Sequence, residues 1–166
     1  RIRTADIDFG NNIIYCASSG GNVWRGTLDG ENWESLNDYM QILGITFLRI
    51  VNRDNGKRLL VGSENNGFYY SDNEGLSLIE AEGFSVNNIK RFIIQSETNH
   101  IYALVNSSPV AIYKSIDLGE TFELVLSLDG SSGIPSDNIS NFDIFTPRYF
   151  EDYIYLINNM TLYRIS

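Results

Sequence analysis

Short apolar runs alternate with polar clusters along the whole chain, at a spacing that suits β-strands and tight turns. Val, Ile, Tyr and Phe dominate the runs, whereas Gly, Asn, Asp and Ser fill the intervals. The runs come in four successive groups. We therefore predict an all-β chain whose strands follow one another as antiparallel meanders.

Each group predicts an inner, a second and a third strand, and the first three groups also predict a fourth. The inner strands are 4–9, 46–52, 89–95 and 139–145, the second strands 13–18, 58–63, 101–106 and 153–158, the third strands 22–26, 67–71, 111–115 and 161–165, and the fourth strands 33–36, 77–81 and 122–126. The last group ends on an apolar third strand. Because an open apolar edge invites pairing, we expect further blades or a partner chain to cover it.

A turn motif recurs between the third and fourth strands. Its fullest copy is Ser-Ile-Asp-Leu-Gly-Glu-Thr-Phe at 115–122, and the matching glycines Gly30, Gly75 and Gly119 are 45 and 44 residues apart. This period is that of one β-propeller blade. We predict four-stranded antiparallel blades at about 1–40, 41–86 and 87–136, an incomplete blade at 137–166, and a larger propeller to which they belong.

The residue types in this turn have a structural explanation. A carboxylate or amide accepts backbone N–H groups, glycine supplies a positive φ, and the closing aromatic packs beneath the turn. We assign this structural role to Asp29, Gly30, Trp33, Ser71, Asn73, Gly75, Ser115, Asp117, Gly119, Thr121 and Phe122. The second copy has Ser77 and Leu78 where the third has Thr and Phe, and the first keeps only Gly30 and Trp33 in place, with Asp29 displaced by one position.

The run 115–122 resembles the Asp-box, S-x-D-x-G-x-T-[WF], also called the BNR repeat, of sialidases, xyloglucanases and sortilin-type receptors. Residues 12–25, NIIYCASSGGNVWR, are similar to the blades of exported Bacteroidetes propeller proteins that use type IX secretion. The resemblance implies a β-propeller, secreted or on the bacterial cell surface, with its boxes remote from any active site.

Charge and residue counts exclude several classes of function. The net charge of −9 disfavours a nucleic-acid partner, which would need a basic patch, and no apolar run is long enough to predict a transmembrane segment. Cys16 and His100 are the only cysteine and histidine. We therefore expect no disulfide, no metal site, no cofactor and no histidine-dependent triad.

The candidate contact residues lie at the end of the blades opposite the boxes. The turns between second and third strands meet the links between blades there, and they contain Asn22, Asp38, Tyr39, Glu64 and Asn65. We predict that these residues contribute to the binding of a protein or a glycan. An aromatic residue also recurs in every third strand, as Trp24, Tyr69, Tyr113 and Tyr163, and its repetition favours packing between blades.

Two alternative functions remain open. A xyloglucanase-like hydrolase needs two carboxylates roughly 5 to 10 Å apart, for which Asp38, Glu64, Asp129 and Asp137 are available. A sialidase is less favoured, because no arginine triad recurs at the loop positions. A sortilin-like or assembly-factor propeller would instead bind a peptide. No catalytic residue is assigned.

Overall fold

A computed structural model describes residues 1–147, 153–159 and 161–165, and almost all of its regular structure is β. The first sheet contains β1 (Ile2–Asp8), β2 (Ile13–Ser18), β3 (Val23–Thr27) and β4 (Glu34–Ser35), the second β5 (Ile45–Arg53), β6 (Gly56–Ser63), β7 (Gly67–Ser71) and β8 (Ile79–Glu80), the third β9 (Ile89–Ile94), β10 (Ile101–Val105), β11 (Ala111–Ser115) and β12 (Glu123–Ser127), and the fourth β13 (Phe142–Phe145), β14 (Ile154–Asn158) and β15 (Thr161–Ile165).

Strands within each sheet are neighbours in chain order, and every pair is antiparallel. These four meanders confirm the predicted all-β fold of antiparallel blades, and the fourth sheet has three strands among the described residues. The largest error in a predicted start is in the fourth sheet, whose inner strand begins at Phe142 instead of 139, because Ile139–Asn141 form a 3₁₀ turn; other starts differ by at most two residues. The side chain of Asn138 accepts a hydrogen bond from the Ser140 amide and so caps this turn.

The described residues contain no helix long and apolar enough for a membrane crossing. The chain divides into two compact units, Arg1–Ala81 and Glu82–Ser166. Each unit has a core between its two sheets. In the first unit the core includes Tyr15, Ala17, Val23, Leu48, Leu59, Val61 and Tyr69. In the second it includes Leu104, Ile112, Leu128, Phe142, Ile144, Ile154 and Leu156.

The box turn β11–β12 is held by its own polar side chains. Asp117 Oδ1 accepts the amides of Glu120 and Thr121, both at 3.0 Å, and Ser115 Oγ accepts the Gly119 amide at 2.8 Å. Gly119 has a φ of +89°, and Phe122 is buried below the turn. These contacts support the structural role predicted for the motif.

The other two box turns use variants of this arrangement. In β7–β8, Asn73 Oδ1 accepts the Ser77 amide at 2.9 Å while its Nδ2 donates to Ser77 Oγ. In β3–β4, Asp29 accepts the Glu31 amide at 3.0 Å, and the Trp33 indole donates to the Gly30 carbonyl. The second turn has its positive φ values at Glu74 and Gly75, as the fullest copy has them at Leu118 and Gly119, whereas the first turn has them at Gly30 and Asn32 and so follows a different path.

The third-strand aromatic residues are not all core. Tyr69 and Tyr113 are buried, as predicted for packing, and Tyr163 is half-buried. Trp24 differs, with 37 % of its surface exposed. Its side chain lies on the face of the first sheet that is turned away from the second sheet.

Candidate binding groove

A groove in the second unit lies at the end of the strands opposite the box turn. Its volume is about 680 Å³, and three segments form it: the β10–β11 turn, the residues after β12, and the link that enters β13. Val110 and Leu128 are buried at its base, joined by a 2.8 Å hydrogen bond from the Leu128 amide to the Val110 carbonyl. The rim carries Asn106, Ser107, Ser108, Asp129, Ser136, Asp137 and Asn138.

The two carboxylates on the rim are fixed by local donors. Asp129 Oδ1 accepts the amide and hydroxyl of Ser131, and this bonding lowers the pKa of Asp129. Asp137 Oδ1 accepts the Asn138 amide at 2.7 Å and Asn141 Nδ2 at 2.9 Å, which lowers the pKa of Asp137. Both groups are therefore ionised at neutral pH and can accept hydrogen bonds but not supply a proton.

Other rim groups keep hydrogen-bonding capacity for a ligand. The side-chain amide of Asn106 and the hydroxyls of Ser108 and Ser136 make no hydrogen bond to another described residue, and only the backbone N–H of Asn106 is used, on the Asn88 carbonyl. Asn138 uses its Oδ1 on Ser140 and leaves its Nδ2 as a donor. The groove therefore offers donors and acceptors together above a small apolar base.

The predicted contact residues lie on the corresponding loops of the first unit. Asn22 Nδ2 donates to Asp38 Oδ1 at 3.0 Å, so the structure brings this pair together. Glu64 forms an ion pair with Arg3 at 3.3 Å, and the adjacent Asn65 is exposed. Tyr39 is 58 % exposed, but its hydroxyl accepts the Leu78 amide at 2.7 Å.

Sequence analysis placed Asp129, Ser136 and Asp137 in a candidate link, 129–137, and missed Asn106 and Asn138 as groove residues. Asn106 directly follows a second strand, at a turn position comparable with those of Asn22 and Asn65, and this was the available signal. Among the described residues, no cluster of three His, Cys, Asp or Glu side chains suits a metal ion.

No protein-family model matches the sequence, and neither does any curated protein. Solved structures do resemble the fold. The computationally designed Ika4 protein is 12 % identical with a TM-score of 0.65, over 99 % of this chain and 90 % of that one. A GH74 enzyme from Niastella koreensis is 15 % identical with a TM-score of 0.67, over 89 % of this chain and 23 % of that one.

An ancestral GH74 enzyme is 18 % identical with a TM-score of 0.69, over 99 % of this chain and 22 % of that one. The chain thus spans less than a quarter of each GH74 enzyme. Together with the four meander sheets, these propeller-like neighbours define the fold class: the chain is built of β-propeller blades.

Proposed function

We propose that this chain is a rigid glycan-binding module of a secreted or cell-surface Asp-box propeller, and that the groove of the second unit is its binding site. The observation that carries the proposal is the rim, where the Asn106 side-chain amide and the Ser108 hydroxyl, both without a side-chain hydrogen bond to a described residue, lie with two ionised carboxylates. Sugar hydroxyls both donate and accept, so they match such a mixture. The fold shared with GH74 enzymes and the box-like turns support the same assignment.

Glycoside hydrolysis, the alternative, is less well supported by this groove. A hydrolase needs one carboxylic acid whose raised pKa lets it protonate the leaving group. Asp129 and Asp137 are both shifted the other way, by hydrogen bonds from Ser131 and from Asn138 respectively. This pair is suited to hold hydroxyl groups and unsuited to donate a proton to them.

Titration calorimetry of the 166-residue chain with xyloglucan oligosaccharides tests the proposal, with release of reducing ends measured in parallel. Asn106→Ala and Ser136→Ala should each weaken binding about five- to tenfold, which corresponds to one lost hydrogen bond of about 1 kcal/mol. Ser96→Ala, in the β9–β10 turn at the opposite end of the same sheet, is the matched control and should bind normally.

Absence of binding to these oligosaccharides and to a wider glycan panel would contradict the proposal. Release of reducing ends would favour the hydrolase instead. If the groove variants bind as strongly as Ser96→Ala, the binding site lies elsewhere on the chain.

A further inference from the structure

One face of the first sheet is apolar and uncovered. It forms a groove of about 550 Å³ lined by Ile2, Ala5, Ile14, Cys16, Trp24 and Trp33. Ile2, Trp24 and Trp33 expose 55, 37 and 43 % of their surface. We call these six residues the front face of the first sheet.

The residues at the equivalent positions of the second and third sheets are buried in the core. Cys16 pairs with Trp24 across β2 and β3, as Val61 pairs with Tyr69 and Ala103 pairs with Tyr113. Val61, Tyr69, Ala103 and Tyr113 are all buried, and Leu78 and Phe122, at the box position of Trp33, are buried too. The front face of a sheet is therefore built for contact with another sheet.

Each unit shows what a front face packs against. In the first unit, Val61 and Tyr69 pack in one core with Tyr15, Ala17 and Val23, from the opposite, or back, face of the first sheet. In the second unit, Leu156 and Tyr163 pack with the back-face residues Leu104 and Ile112 of the third sheet. In both units, therefore, the front face of one sheet packs against the back face of its neighbour.

The fourth sheet carries an uncovered back face. Ile157 pairs with Leu162 across β14 and β15, in the register of Ala17 with Val23 and of Leu104 with Ile112. Those four equivalents are fully buried, whereas Ile157 and Leu162 expose 37 and 55 % of their surface. Tyr155 occupies the position of Tyr15 and Tyr102 on the same face.

We propose that two copies of this chain associate head to tail, with the front face of the first sheet of one copy packed on the back face of the fourth sheet of the other. Two observations point to this occupant: front packs against back within each unit, and the fourth sheet of the chain presents an exposed back face. Burial of the exposed Trp, Ile and Leu side chains drives the association. The interface joins two different surfaces, so the pair of copies keeps one free front face and one free back face.

Light scattering after size exclusion, over a range of concentrations of the full 166-residue chain, tests the proposal. Trp24→Glu on the front face and Leu162→Glu on the back face should each raise the dissociation constant at least about tenfold, because a carboxylate would be buried in the contact. Ile2→Glu is a second front-face variant at a more exposed site. Ile116→Glu is the control, in a box turn and 73 % exposed.

Mixing Trp24→Glu with Leu162→Glu gives the sharpest outcome. The first variant keeps an intact back face and the second an intact front face, so the mixture should form a dimer although neither variant does so alone. A wild-type chain that stays monomeric overturns the proposal. So does a dimer that survives in folded Trp24→Glu and Ile2→Glu, as judged by circular dichroism, or a mixture that fails to associate.

Discussion

Arg58 Nε and Nη2 lie 2.6 and 2.8 Å from the two carboxylate oxygens of Asp72, across the start of β6 and the end of β7. The Arg58 side chain is 1 % exposed and its guanidinium stacks 4.3 Å from the Tyr70 ring centroid. Burying a guanidinium without a counter-charge costs free energy. The stability of the first unit therefore depends on this bidentate pair.

We expect Asp72→Ala to lower the free energy of unfolding by about 3 kcal/mol, because it removes the bidentate carboxylate partner of the buried Arg58 guanidinium. Arg53→Ala is the control. Arg53 also pairs with Asp72, but its side chain is 31 % exposed and its removal should cost less than about 1 kcal/mol. Urea unfolding of both variants measures the difference, and equal losses would contradict the assigned importance of Arg58.

The Arg58–Asp72 pair should make the free energy of unfolding depend on pH in the acidic range. The hydrogen bond from Arg58, followed by that from Arg53, holds the pKa of Asp72 below its ordinary value of 3.8 in the folded chain. Its stabilising effect is therefore complete above the unfolded pKa of about 4 and is lost as the pH falls through the lower folded value. Asp72→Asn should lose less stability than wild type between pH 5 and roughly pH 2, as measured by urea titrations; parallel curves would exclude the contribution.

Local pattern was enough to predict the strands but not their contacts. The third strands 67–71, 111–115 and 161–165 match the prediction residue for residue, because polar or glycine-rich turns bound each apolar run. The repeat could not predict whether Trp24 is buried, because its burial depends on whether another sheet covers the first one. Nor could it predict the hydrogen bond between Tyr39 and Leu78, which are 39 residues apart.

The groove was predictable only in part for the same reason. Its acidic residues were identified on candidate loops, but three separate segments must fold together before Asn106, Asp129 and Ser136 share a rim. The pKa of Asp137 is lowered first by the hydrogen bond from the Asn138 backbone amide and then by that from the Asn141 side chain. Sequence alone left open whether that residue was an acid or a hydrogen-bond acceptor.

The box turn predicts a graded response at Asp117. Asp117→Ala should cost about 1 to 3 kcal/mol, since the amides of Glu120 and Thr121 lose their acceptor. Asp117→Asn should cost less, because Asn73 already bonds Ser77 with the same geometry in the second box turn. Thermal unfolding of the two variants checks the order, and an unchanged melting temperature in Asp117→Ala would refute the structural role.

Gly83 meets the same box turn from the link between β8 and β9. The amide of Glu82 donates to the Glu120 carbonyl, the amide of Phe122 donates to the Glu82 carbonyl, and Gly83 has a φ of +98°. A Cβ atom at this position would lie 1.9 Å from the Phe122 carbonyl oxygen. The substitution must therefore separate the link from the turn and displace Phe84, whose ring centroid is 4.5 Å from that of Phe122.

We expect Gly83→Ala to lower the free energy of unfolding by roughly 2 to 5 kcal/mol, the sum of a left-handed backbone penalty and a steric one. Gly130→Ala separates the two terms, because Gly130 has a φ of +90° and open space around its Cβ position. That control should cost only about 1 to 2 kcal/mol. If urea unfolding gave the two variants equal losses, the close contact with Phe122 would contribute nothing, and the link would not depend on the box turn for its position.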